Sequence, residues 1–201
     1  MSRFIESIQL NDGQLLHLDL HLARMERTAQ SHYGSTIFFD RQLIEKAAKK
    51  YPQGLFKCRL IYAHQIEEIT FTTYHIKPIN SLRLVFSQLA YAFKYENRTE
   101  LMNLFQQRGD CDDVIIVKDG LITDGSYTNL AFFDGTTWWT PSTPLLKGIQ
   151  REVLLASEII KEKRIPVTSL SDYKKVKLFN AMMGWEAAPE VVLSKVNLII
   201  V

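Results

Sequence analysis

Tyr91-Ala92-Phe93-Lys94-Tyr95-Glu96-Asn97-Arg98 decides how the rest of this chain is read. A strand pattern over residues 82–88 precedes it, and a helical pattern from about Glu96 to Gln107 follows it. A lysine placed where a strand gives way to a helix, with Phe93 and Tyr95 beside it, sits in partly buried surroundings. Such surroundings hold an amine neutral and nucleophilic. Alone the signal is weak, because the chain carries 24 lysines and arginines and most such residues are surface charge. Its weight comes from what stands elsewhere.

Toward the N-terminus, residues 3–10 alternate and reach Asn11-Asp12-Gly13, a strong hairpin turn. Residues 14–18 read as the returning strand. From about Leu20 to Tyr33 the pattern is helical, with Leu22 and Met25 on one face and Gly34 as its stop. Asp40 caps a second helix that turns Leu43, Ile44 and Ala47 inward. Strands follow at 55–63 and 67–76, giving an α+β unit. Lys77-Pro78-Ile79-Asn80-Ser81 reads as the linker, so the expected domains are 1–80 and 81–201.

Toward the C-terminus, short strands are expected at 113–118, 121–123 and 129–133, punctuated by Asp119-Gly120 and Asp134-Gly135. Thr140-Pro141-Ser142-Thr143-Pro144 reads as an irregular loop. A long helix is expected from about Ile149 to Lys163, with Ile149, Val153, Ala156 and Ile160 as its apolar stripe. Residues 165–169 and 176–180 read as strands around a short Asp172-Tyr173 helix, and 191–201 as a further strand.

Composition narrows the function classes. Hydrophobic content of 46% and charged content of 23% are those of a globular chain. A formal net charge of +2 gives no footprint for nucleic acid, and Lys174, Lys175 and Lys177 read as a solvated face. No apolar run is long enough for a membrane span, and the charged N-terminus does not read as a signal peptide. Cys58 and Cys111 read as reduced thiols of a cytoplasmic protein. His17 and His21 have helical spacing but no third ligand, so no metal site is expected.

Pyridoxal phosphate chemistry needs an imine-forming lysine, an acid against the ring nitrogen, backbone amides for the phosphate, and preferably a fixed cation. The sequence offers a candidate for each. Asp124 ends a strand in Ile122-Thr123-Asp124-Gly125-Ser126. Gly148-Ile149-Gln150 opens a helix after an irregular loop, and Arg24 lies on the helix that follows His21.

These segments resemble, in order, those of the class IV aminotransferase family, the fold-type IV pyridoxal phosphate enzymes. His21-Leu22-Ala23-Arg24-Met25 resembles H-x-x-R-L, and Lys94-Tyr95-Glu96-Asn97-Arg98 resembles K-x-x-N-R. Thr123-Asp124-Gly125-Ser126-Tyr127-Thr128-Asn129-Leu130 resembles T-E-x-x-x-x-N-L. Thr140-Pro141 with Leu146-Lys147-Gly148-Ile149-Gln150-Arg151 resembles T-P and L-x-G-I-T-R. Phe179-Asn180-Ala181-Met182-Met183 is similar to a lyase-type segment. The family glutamate is replaced by Asp124, and its threonine by Gln150. The family's opening G-D-x-x-F-E segment is reduced to Arg3-Phe4-Ile5-Glu6-Ser7.

The resemblance implies an α/β chain, of the α+β kind, with the two-domain D-amino acid aminotransferase-like fold. It implies a homodimer with active sites between the domains and pyridoxal 5′-phosphate on Lys94. Asp124 would face the ring nitrogen. Arg24, the amides of Ile149 and Gln150, and Asn180 with Ala181 would hold the phosphate. Two reactions on a small-molecule amine share this machinery. A 4-amino-4-deoxychorismate lyase releases pyruvate and 4-aminobenzoate, a folate precursor; a transaminase passes the amino group to a keto acid. The compact size and the Asn180-Ala181-Met182-Met183 segment favour the lyase. A non-catalytic homologue that binds the cofactor is the third reading.

Overall fold

The computed structural model describes residues 2–34, 36–193 and 196–197. The chain divides into two compact units: Met1–His75 with Phe93–Asn97, and Ile76–Ala92 with Arg98–Val201.

The first unit is a four-stranded antiparallel sheet in the order β2-β1-β3-β4. Its strands are β1 (Phe4–Asn11), β2 (Gln14–Leu15), β3 (Leu55–Tyr62) and β4 (Ile66–Thr73). Asp12 and Gly13 take φ of 45° and 78°, the double left-handed turn that matches strand twist and joins β1 to β2. Helix α1 spans Leu18–Tyr33 and ends where Gly34, at φ 70°, returns its amide to Gln30 O. Helix α2 (Arg41–Ala48) starts where the Asp40 carboxylate accepts from Gln42 N and Leu43 N. Leu43, expected inside, is 46% exposed; Ile44 faces the core as expected, and Ala48 joins it there. A helix this short buries only one narrow stripe, and Ile44 with Ala48 is its i,i+4 pair.

Alternation along β1 sends Phe4, Glu6, Ile8 and Leu10 to one fully buried face. Phe4 and Ile8 pack there with Leu18, Met25 and Ala29 of α1 and Cys58, Leu60 and Tyr62 of β3. Residues 93–97 are extended rather than helical. Ile5 N donates to Lys94 O and Glu96 N donates to Arg3 O, each at 2.9 Å, and Phe4 bridges Tyr95. This ladder is why the next helix, α3 (Thr99–Gln106), begins later than the sequence pattern suggests. Backbone groups already committed to β1 cannot close helical turns.

The second unit has two sheets. One runs β13-β5-β6-β7, built from β5 (Leu82–Phe86), β6 (Asp113–Lys118), β7 (Leu121–Ile122) and β13 (Val196–Asn197). The other runs β10-β9-β8-β11-β12. Its members are β8 (Asn129–Phe133), β9 (Trp138–Pro141), β10 (Lys161–Lys163), β11 (Lys175–Phe179) and β12 (Glu190–Val192). Leu82, Leu84, Ile115 and Val117 of the first sheet share one core with Leu130, Phe132, Val176 and Leu178 of the second. Alternation turns Asn129 and Ala131 the other way, and Ala131 packs with Leu154 of helix α4 (Ile149–Ala156).

Three sequence expectations change here. The long helix over 149–163 stops at Ala156. Ser157 Oγ bonds back to Val153 O at 2.9 Å, Glu158 turns left-handed at φ 56°, and Lys161–Lys163 pairs parallel to β9. Its buried residues are Ile149, Gln150, Arg151 and Leu154, while Ala156 is exposed. The expected loop from Thr140 begins inside β9, and residues 167–172 form a 3-10 helix instead of extending a strand. The strand expected over 191–201 falls partly on residues 194–195 and 198–201, which lie outside the described residues. Among the described residues no helix is long and apolar enough to cross a membrane.

Candidate active site

Lys94 and Arg24 lie in the first unit, and Asp124, Ile149, Gln150, Asn180 and Ala181 in the second. The backbone of Lys94 is fixed by the Ile5 amide. Its side chain is half-buried, and Phe93 and Tyr95 pack against the first core.

Arg24 projects from α1 toward β1. Its Nε donates to Glu6 Oε1 at 2.8 Å and its Nη2 to Glu6 Oε2 at 2.6 Å, a two-point fork. His21, one turn earlier, places Nδ1 2.7 Å from Glu6 Oε2. Glu6 and His21 are 0% exposed. Burial opposes the Glu6 charge, but the Arg24 guanidinium and the His21 contact outweigh it and hold the carboxyl well below the usual range. Burial outweighs the Glu6 contact and lowers His21 from its ordinary value. Glu6 accepts only, which puts a ring proton on Nδ1, while Nε2 is buried with no hydrogen-bond partner.

In the second unit, Asp124 is 5% exposed at the end of the β7 segment. Its Oδ1 accepts from Asn129 Nδ2 at 2.7 Å and its Oδ2 from Leu146 N at 2.9 Å. Burial pushes the carboxyl up to about 6, against these donors and the nearby Arg151 charge. Asn129 Nδ2 also reaches Leu146 O at 2.9 Å, tying β8 to the loop that enters α4. Gly148 is the residue before α4, at φ −74° and ψ 148°, and no side chain caps that helix. Asn180 accepts from Met182 N at 2.8 Å and donates to Tyr127 O at 3.3 Å; it thus contacts the 124–129 segment, while Ala181 is partly exposed beside it. Arg98, the last residue of the lysine motif, donates to Ser126 O at 3.0 Å.

These residues fit a group with a phosphate at one end and a basic ring nitrogen at the other. The uncapped start of α4 carries orphan amides and the positive end of the helix dipole, which suit a phosphate. The Asp124 carboxylate, tied to Asn129 Nδ2 and the Leu146 amide, is a buried acceptor with lone pairs of the kind that suit a ring N–H. Asp124 and the start of α4 are brought together through Asn129 and Leu146.

Sequence reasoning passed over three residues. Glu6 was readable as the one charge in the inward series Phe4, Glu6, Ile8, Leu10. Asn129 lay inside a quoted motif without a role. Arg151, 4% exposed, donates to Pro141 O at 3.0 Å and to Glu162 at 2.5 Å, and gave no sequence signal beyond its place in L-x-G-I-x-R.

The pattern of the family described as amino-transferase class IV matches residues 3–190, and the chain belongs to that family of pyridoxal phosphate-dependent enzymes. An uncharacterized protein of Haemophilus influenzae is 34% identical over 188 residues, covering 92% of this chain and all of that protein. A Haemophilus somnus crystal structure, provisionally assigned as a 4-amino-4-deoxychorismate lyase, is 31% identical, with a TM-score of 0.82 over 92% of this chain and 98% of that one. A pyridoxal phosphate-bound Mycobacterium tuberculosis structure, called a hypothetical aminotransferase, shares the fold at 18% identity. Its TM-score is 0.80 over 98% of this chain and 81% of that one.

Proposed function

We propose that the chain is a pyridoxal 5′-phosphate-dependent lyase that converts 4-amino-4-deoxychorismate to 4-aminobenzoate and pyruvate. The similarity to the Haemophilus somnus protein along nearly the whole of both chains carries this choice over a transaminase. The proposed cofactor residues are Lys94 and Arg24 with Asp124, the amides of Ile149 and Gln150, Asn180 and Ala181. A homodimer in the cytoplasm belongs to the same reading.

When bound, pyridoxal phosphate supplies an electron sink for the pair left on the carbon that bears the amine. Lys94 would hold the cofactor, and its Nζ, once free, would take the proton from that carbon. The bond from the neighbouring ring carbon to the enolpyruvyl oxygen breaks, the ring becomes aromatic, and proton uptake by the departing enol gives pyruvate. Asp124 would receive the ring N–H and so favour a protonated nitrogen. Arg24 and the start of α4 would each supply donors to the phosphate, and a held phosphate would orient the reacting carbon for Lys94.

The test begins with the visible spectrum of the protein in pyridoxal phosphate, with and without borohydride, beside Lys94→Ala. A yellow band fixed to Lys94 by borohydride and missing in the variant is expected. The wild type should then release pyruvate from 4-amino-4-deoxychorismate with no keto acid present. Amino acid turnover that requires a keto acid, with no pyruvate released, would replace the lyase by a transaminase. A folded wild type with no yellow band would overturn the reading altogether.

A further inference from the structure

Glu6 stands where the fold asks for an apolar side chain. Phe4, Ile8 and Leu10, its partners in the period-two series, are all 0% exposed, and so is Glu6. A buried ion pair in such a stripe adds little net stability over an apolar residue of the same volume. Stability alone therefore does not account for a carboxylate here. Its three contacts show what it does: it takes Nε and Nη2 of Arg24 and Nδ1 of His21, and so fixes two side chains of the H-x-x-R motif at once. An arginine has several rotatable bonds, and a free one loses that freedom whenever it grips an anion. The Glu6 fork removes the loss in advance, and the Arg24 side chain remains 11% exposed.

We propose that Glu6 is a positioning residue for phosphate recognition: it clamps the inner edge of the Arg24 guanidinium, with His21 bracing the carboxylate, so that Arg24 is preset for the cofactor phosphate. The inference rests on the pyridoxal phosphate reading and adds to it a residue that touches no cofactor. It predicts discrimination between pyridoxal phosphate and pyridoxal, which lacks the phosphate but keeps the aldehyde that Lys94 meets.

Titration calorimetry with these two compounds, on wild type, Glu6→Gln, Arg24→Met and the double variant, tests it. Glu6→Gln should weaken pyridoxal phosphate by about tenfold, as the loss of a residue that orients a binding group does. Pyridoxal should be held almost as before. In the Arg24→Met background the same change should cost pyridoxal phosphate nothing further. Should Glu6→Gln fail to fold, Glu6→Asp takes its place; one methylene shorter, it should lose part of the phosphate preference. A wild type that binds pyridoxal phosphate, with Glu6 variants that keep its preference or lose both compounds equally, overturns the clamp alone. Full additivity with Arg24→Met also overturns it. A wild type that binds neither compound overturns both the clamp and the proposed function.

Discussion

Asn129 Oδ1 lies 2.0 Å from the point where a Cβ on Gly148 would stand. The same amide donates through Nδ2 to Asp124 and to Leu146 O. Gly148 has an ordinary extended backbone, so it is a glycine for want of space. The missing side chain allows one amide to serve both the acid and the loop that opens α4.

Gly148→Ala should therefore push Asn129 out of place and leave Asp124 short of a buried donor. The expected loss is about 2 kcal/mol, from overpacking and a broken hydrogen bond. Urea unfolding followed by tryptophan fluorescence reads it. Adding Asn129→Ser should return part of that loss, because the two sites share one contact. An unchanged midpoint in Gly148→Ala would mean that the amide moves aside without cost.

Asp124 gives a pH signature in cofactor-free protein. Its folded carboxyl titrates at about 6, against an ordinary 3.8. Between those values the folded state binds more protons than the unfolded one, so the Asp124 contribution falls as pH rises through this window. The gap corresponds to about 3 kcal/mol. The stability of wild type relative to Asp124→Asn should decline from pH 4 to pH 7 and then level off. A flat difference across that range would contradict the burial argument.

Glu6 has the opposite sign. Its folded carboxyl lies far below the ordinary 4.5, so the stability it contributes is present above that pH and is lost as pH falls below it. The advantage of wild type over Glu6→Gln should therefore shrink in acid. Urea unfolding followed by circular dichroism at stepped pH measures it, and an advantage that grows in acid would count against the ionised pairing.

Glu158→Gly should stabilise the protein by about 0.5–1 kcal/mol, since only glycine takes a left-handed backbone without cost. Glu158 is exposed and held at φ 56°, so no packing opposes the change. Thermal unfolding would show a raised midpoint; a lowered one would mean that Glu158 has a favourable contact.

The first unit was largely legible because its signals are local. Asn11-Asp12-Gly13, Gly34 and Asp40 each act through their own backbone, and each boundary they mark stands. Ile149 to Lys163 misled because Ile160 falls on a helical repeat of Ile149, yet Ile160 is buried beside Ala131 and Phe179 after the chain has left the helix. Glu96-Asn97 misled for a related reason: β1, distant in sequence, had already engaged that backbone. The site motifs were readable as residue types, but the ties between them were not. Nothing in the sequence alone brings Glu6 to Arg24 or Asn129 to Gly148, since those pairings depend on which way alternate strand residues turn.

The segment from Phe93 to Asn97 returns to the first unit after the chain has entered the second. The first unit is therefore not a contiguous gene segment. A fragment ending at His75 would leave the amide of Ile5 without its acceptor on Lys94 and expose an unfinished strand edge, prone to pair with another chain. On the ribosome, β1 must wait for the linker and β5 to emerge before that edge can close. The lysine's backbone is thus one of the last pieces of the first unit to be laid down.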